Sequence, residues 1–203
     1  MIKTLIFDFG DVFINLDKEG AMANALDLFK VNELPEELIA INALYEQGLL
    51  STEEFLEFYC INFPELSKDE IIDAWNYILC DFPVRRLEFI QQLAKDNVYQ
   101  LILLSNTNAL HIECIQKHIS FFEDFKACFN KFYLSHEVMM RKPDAAIFEF
   151  VLSKNNLKPE ECLFIDDTTE NTEAAKALGF NVWNNNPNSE DIIDLFSHKK
   201  ELF

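Results

Sequence analysis

Three short apolar runs stand out along the chain: Thr4–Phe7, Val98–Leu104 and Cys162–Ile165. They are too short for helices and rich in strand-forming residues, so they predict strands buried on both faces of a parallel sheet. Phe132–Leu134 and Asn181–Trp183 are weaker strand candidates. Between the later strands the apolar spacing changes to a helical period over Pro143–Lys154 and Thr168–Leu178, with Gly179 placed to close the second helix. Strand alternating with helix predicts an α/β fold with a doubly wound, Rossmann-like parallel sheet.

The stretch from Lys18 to Asp81 breaks that rhythm, with several amphipathic helix patterns and no convincing strand. Pro35 is placed to open one helix. Ser51-Thr52-Glu53-Glu54 and Ser67-Lys68-Asp69-Glu70 offer capping-box starts for two more. The expected organisation is a catalytic core of residues 1–16 and 82–203 with a helical cap domain of residues 17–81 inserted after the first strand, able to cover a site as a lid. Asn184–Pro187 reads as a loop, and the tail beyond it as a short surface helix.

Polar residues at the strand tips carry the chemistry. Asp8 follows Thr4–Phe7, and Asp166-Asp167 follow the Cys162 run. A carboxylate at the tip of a buried strand costs several kcal/mol unless it is paired or metal-bound. Two such strands would gather three acids at the carboxyl edge of one sheet, where open α/β folds bind ligands. Clustered hard oxygen ligands suit Mg²⁺. Asp8 is then the candidate nucleophile. Asp8, the Gly10 carbonyl and Asp167 are the expected metal ligands, with Asp166 beside or among them and Asn171 orienting the set.

Two further motifs lie between these ends. Leu101–Asn108 places Ser105 at a strand tip, where a hydroxyl and helix-starting amides can hold phosphate oxygens. The plainer alternative is helix capping by Ser105 or Thr107. Met140–Asp144 places Lys142 before Pro143, as a point charge able to neutralise a phosphate and the attacking carboxylate together. The catalytic set is thus Asp8, Lys142 and Ser105, and the phosphate-binding set Phe9, Gly10, Ser105, Asn106 and Lys142. His111 and His118 are seven residues apart and read as facing or surface side chains; His136 is a candidate for the rim of the site.

Composition narrows the partners. With 17 basic against 35 acidic side chains the net charge is −18, which argues against nucleic acid and anionic membrane surfaces. Five cysteines at wide spacing with no CxxC pair fit reduced thiols rather than a disulfide frame or a zinc site. No apolar run reaches the length of a membrane span, so a cytoplasmic protein is expected, monomeric or homodimeric; the small phosphorylated metabolite expected as its partner is what the family resemblance below implies.

The four motifs in this order resemble the haloacid dehalogenase superfamily: Asp8, Ser105, Lys142 and Asp166-Asp167, with a helical insertion after the first. The resemblance spans nearly the whole chain. It implies a Mg²⁺-dependent phosphatase working through an aspartyl-phosphate on Asp8. Leu104–His111, Tyr133–Ser135, Met140–Pro143 and Glu46–Phe55 are similar to the bacterial α-D-glucose-1-phosphate phosphatase branch, which implies sugar phosphates such as a hexose 1-phosphate. One position departs from most of the superfamily. Two residues after the nucleophile, where a second aspartate acts as general acid and base, this chain has Gly10. The glucose-1-phosphatase branch also carries glycine there, and an anomeric oxygen needs little protonation to leave. Asp11 is expected to hydrogen-bond in the loop rather than to replace the acid. The competing readings are a catalytically silent binding or regulatory domain of the same fold, a dehalogenase attacking carbon, which has no need of the acidic pair, and a mutase.

Overall fold

A computed structural model describes all 203 residues. Five parallel strands form one sheet in the order β3-β2-β1-β4-β5: β1 Thr4–Phe7, β2 Gln100–Ser105, β3 Lys131–Leu134, β4 Cys162–Asp166 and β5 Asn181–Asn184. The fold is the doubly wound α/β architecture expected from the alternating pattern. Strand period 2 sends neighbouring side chains to opposite faces. Leu5, Phe7, Leu101, Leu103, Leu163 and Ile165 therefore enter one apolar layer. Ile6, Ile102, Leu104, Cys162 and Phe164 enter the other. Phe9, Phe13, Phe82, Phe125 and Phe129 pack edge-on and stacked beneath the first layer, which is where much of the phenylalanine content goes.

The helical elements are α1 Lys18–Phe29, α2 Glu36–Glu46, α3 Thr52–Asn62, α4 Lys68–Asn76, α5 Val84–Asp96, α6 Ala109–His118, α7 Phe122–Ala127, α8 Ser135–Val138, α9 Ala145–Asn155, α10 Thr169–Ala177 and α11 Leu195–His198. The first four fall within the stretch that lacked strand patterning. Both expected capping boxes form: Ser51 with Glu54 opens α3, and Ser67 with Glu70 opens α4. Phe29, Leu38, Tyr45, Phe55, Tyr59 and Ile71 give these helices an apolar cluster of their own, joined by Leu110 of α6. The chain enters and leaves this unit side by side, through hydrogen bonds from Asn15 N to Asp81 O, Cys80 N to Asn15 O and Asp17 N to Ile78 O. Gly48, at φ +68°, lies so close to α8 that a Cβ there would stand 2.0 Å from the His136 carbonyl oxygen.

Some boundaries differ from the sequence expectation. The second strand starts at Gln100 because Asn97 ends α5 in the left-handed conformation, leaving Val98 exposed. Neither Ser105 nor Thr107 caps α6; Asn108 does, accepting from His111 N. Pro143 lies two residues before α9 rather than in its first turn. The tail is not a free surface element either. Ile192 and Leu195 are fully buried, and Asp191 holds Arg85 and Arg86 at 2.8 and 3.2 Å. Gly179 does close α10, at φ +91°. No helix is long and apolar enough to cross a membrane, and all five cysteines are free.

Candidate active site

The pairing register decides which acids meet. Phe7 of β1 lies opposite Ile165 of β4, so Asp8 and Asp166 follow as neighbours at the carboxyl ends of two adjacent strands. The Asp8 amide donates to the Ile165 carbonyl at 2.8 Å, which carries the ladder one residue beyond β1. The connections run from β1 through β2 to β3 and then cross back to β4 on the other side of β1. Ligands of open α/β sheets bind at such a reversal.

Lys142 arrives there from the loop before α9, and its side chain is 1% exposed. Its Nζ donates to Asp8 Oδ1 and Asp166 Oδ2, each at 2.6 Å, and lies 5.4 Å from the centre of the Phe164 ring. The main chain of Lys142 is clamped from both sides by one amide. Asn106 Nδ2 donates to its carbonyl at 2.8 Å, and its N–H donates to Asn106 Oδ1 at 2.9 Å. The side chain of Asn106 thus aims the lysine, a task the sequence did not disclose.

Asp166 is fully buried and heavily committed. It accepts from Thr168 N at 2.8 Å, from Asn171 Nδ2 at 3.0 and 3.1 Å, and from Lys142. Asp167, next along, is held by Lys18 Nζ at 2.6 Å, and the same ammonium reaches Asp11 Oδ2 at 2.8 Å. Asp11 adopts φ 54° and accepts from Leu16 N at 2.9 Å, so it serves the loop as expected. Buried Asn185 ties that loop to the sheet through the Asp11 carbonyl. Lys18 and Asn185 escaped the sequence reading because neither lies in a chemical motif.

One carboxylate oxygen from each of Asp8, Asp166 and Asp167 can be chosen so that all lie within 4.8 Å of one another. Burial, reinforced by the charges of Asp166 and Asp167, pushes Asp8 up to about 7 against the pull of Lys142. Burial also raises Asp167, against Lys18. Lys142 stays above its ordinary value because its two carboxylate partners outweigh its own desolvation.

Asp8, Lys142 and Asp167 line a polar cavity of about 420 Å³ together with Gly10, Asn106, Arg141 and Asn171, with Leu16 and Pro143 as its apolar walls. Glu46 of α2 reaches in from the helical unit and pairs with Arg141 at 3.0 Å. A mainly apolar cavity of about 350 Å³ lies among α1 to α4 and shares Lys18 and Glu46 with the polar one. Of the expected phosphate-binding set, Gly10, Asn106 and Lys142 face the polar cavity. The Phe9 ring is buried against Phe125, which leaves its backbone as the relevant part. Ser105 is buried at the tip of β2, outside the cavity lining, with its hydroxyl 3.4 Å from the Asn106 carbonyl. His111 is stacked on Trp75 and pushed down to about 4 by burial, and His136 contacts the Thr107 carbonyl; neither lines the polar cavity.

The haloacid dehalogenase-like hydrolase pattern matches residues 2–179. The chain belongs to that family. It is 32% identical over 196 residues to the D-ribitol-5-phosphate phosphatase of Bacteroides thetaiotaomicron, covering 89% of this chain and 90% of that protein. A haloacid dehalogenase family enzyme of the same organism, solved as a magnesium complex, superposes with a TM-score of 0.84 at 34% identity, over 96% of this chain and 98% of the other. Solved with magnesium and inorganic phosphate, the wild-type enzyme gives 0.83 at 33%, over 97% of this chain and all of the other. The protein is thus a hydrolase of this family, with relatives whose structures hold a metal and a phosphate.

Proposed function

We propose that the protein is a Mg²⁺-dependent phosphatase of small phosphomonoesters, with Asp8 as its nucleophile. The observation that carries this reading is the shared lysine. Lys142 Nζ binds Asp8 and Asp166 at 2.6 Å each, beside Asp167, in a polar cavity at the sheet reversal. A lysine in that position pulls Asp8 toward its ionised form against burial and leaves its second oxygen without a protein partner.

Three acids able to bring one oxygen each within 4.8 Å, with carboxylate donors alone, suit a hard divalent cation. Asp8, Asp167 and the Gly10 carbonyl are the residues assigned to hold it, with Asp166 as the neighbour that fixes Lys142 and Asn171. When bound, Mg²⁺ supplies positive charge against the phosphate oxygens and helps present phosphorus to Asp8. The Phe9 and Gly10 amides, which make no hydrogen bond within the chain, are suited to donate to those oxygens together with Lys142. The Ser105 hydroxyl, held only by its long contact to Asn106, is assigned to the same task.

The chemistry then balances in two displacements. An Asp8 oxygen bonds to phosphorus as the ester P–O bond breaks, and the leaving alkoxide oxygen takes its proton from solvent water. Water next attacks the aspartyl-phosphate: its oxygen bonds to phosphorus as the Asp8 O–P bond breaks, its proton passes to solvent, and inorganic phosphate leaves with the Asp8 carboxylate restored. No acid stands at Gly10, and Asp11 is engaged by Leu16 and Lys18, so leaving groups of low basicity are favoured. Residues 17–81 act as a cap domain, with Glu46 and the apolar cavity contacting the non-phosphate part of the substrate. For the substrate itself, the Glu46–Phe55 and Leu104–His111 phrases support a hexose 1-phosphate, and the relative's name supports a sugar-alcohol phosphate. A phosphate-release screen over sugar and sugar-alcohol phosphates, with and without Mg²⁺, tests both. Failure to turn over even p-nitrophenyl phosphate with Mg²⁺ would instead favour a catalytically silent binding domain, because that leaving group needs no proton.

A further inference from the structure

Lys18 is the first residue of α1, just past the hydrogen-bonded segments through which the chain enters and leaves the helical unit. Its side chain is 51% exposed, yet its Nζ is held at 2.6 Å by Asp167 and at 2.8 Å by Asp11. As an ammonium it donates to the carboxylates of both acids.

The acidic edge is incompletely balanced. Four carboxylates (Asp8, Asp11, Asp166 and Asp167) face two ammonium groups, Lys142 and Lys18, each lysine bridging two acids. Glu46 and Arg141 compensate each other at 3.0 Å, and Glu170 adds an exposed acid at the rim. With all four acids ionised, two negative charges among them remain without a cation, which is the charge of one divalent ion. Of the three acids that can share an ion, Asp8 and Asp166 are tied to the buried Lys142. Asp167 alone is tied to a side chain that solvent can receive.

We propose that Lys18 is a resident counter-cation that competes with the divalent metal for Asp167. It holds the carboxylates together while the metal is absent and must give up Asp167 when the metal binds. The inference rests on the metal assignment above and concerns what that assignment leaves open, namely how the metal-free site avoids self-repulsion and what weakens its hold on the ion. An ammonium 2.6 Å from a candidate metal ligand opposes a second cation there by direct Coulomb repulsion, reduced by solvent at this half-exposed position.

The test compares the wild type with Lys18→Met, which keeps the stem and removes the charge, and with Lys18→Arg. The metal-stripped full-length proteins are titrated with Mg²⁺ by calorimetry and melted with and without the ion. Lys18→Met should bind Mg²⁺ about tenfold more tightly, melt lower without metal and gain more from its addition. Lys18→Arg should stay close to the wild type. Equal or weaker Mg²⁺ binding by Lys18→Met would overturn the proposal, showing that Lys18 merely orients Asp167 or decorates the rim. No Mg²⁺ binding by any of the three proteins would overturn the metal assignment and this proposal with it.

Discussion

Lys142 and Lys18 do the same electrostatic task at opposite sides of one acidic edge, and burial makes them different objects. Both ammonium groups bridge two carboxylates at 2.6 to 2.8 Å, yet one side chain is 1% exposed and the other 51%. The inner bridge has no solvent to fall back on. Removing its lysine leaves two buried charges facing each other, whereas removing the outer one exposes acids that water can reach. A buried ion pair is costly to break from one side, and an exposed pair contributes little.

The largest expected contrast follows directly. Lys142→Met should lose about 3–5 kcal/mol of stability, on the order of 10 °C in melting temperature, together with all turnover. Lys18→Met should lose no more than about 1 kcal/mol. Equal losses in a pair of thermal melts would erase the distinction between the two bridges.

Asp8→Asn separates chemistry from stability. The amide cannot attack phosphorus, so phosphate release should vanish. The metal-free melting temperature at pH 8 should nevertheless rise by a few degrees, because a carboxylate displaced to about 7 is ionised there at a cost. The sign is fixed by that displacement. The native state binds a proton that the unfolded chain releases near 3.8, so this group's contribution is present below pH ~4 and lost as pH climbs toward about 7. Wild-type protein stripped of metal should accordingly lose stability over this window, and Asp8→Asn should lose less of it. Coincident stability curves for the two proteins would contradict the displacement.

The two neighbouring acids should part in the same way. Asp167→Ala is expected to weaken Mg²⁺ binding more than tenfold with the fold intact. Asp166→Ala should chiefly destabilise, since Asn171 and the Thr168 amide lose their acceptor and Lys142 loses one of its two. Calorimetry showing the stronger metal defect in Asp166→Ala would reverse the ligand assignment.

The smallest effect concerns Gly10. Without an acid there, kcat/KM for glucose 1-phosphate should exceed that for glucose 6-phosphate, and Gly10→Asp should narrow the ratio by up to about tenfold. The new Cβ would lie 2.7 Å from Leu16 Cδ1, so this leucine must rotate aside and the gain is correspondingly limited. Equal handling of both substrates by the unmodified enzyme would show that another group already protonates the leaving oxygen.

Much of this was legible in the residues alone. Buried strands announce themselves by short apolar runs, and a carboxylate at such a tip is conspicuous because hydrophobic patterning cannot explain it. The capping boxes at Ser51 and Ser67 and the glycine after α10 were readable too, since each acts within four residues. Asp8, Lys142, Asp166 and Asp167 could be named for the same reason: their neighbours in sequence are unusual.

What the sequence could not determine depends on partners far along the chain. The motif at Ser105 marks Asn106 only as a phosphate contact; that its side chain also holds the Lys142 main chain, 36 residues away, depends on where the loop before α9 comes to lie. Nothing near Lys18 distinguishes it from a solvated lysine opening a helix; Asp167, 149 residues on, turns it into a bridge. The tail has the local pattern of a surface helix, because Ile192 and Leu195 find their cover only once α5 and the sheet are assembled. Local rules set strands, caps and turns through interactions a few residues long. Which charge is permanent and which exchangeable was decided by tertiary packing, because only packing determines how much water each ion pair retains.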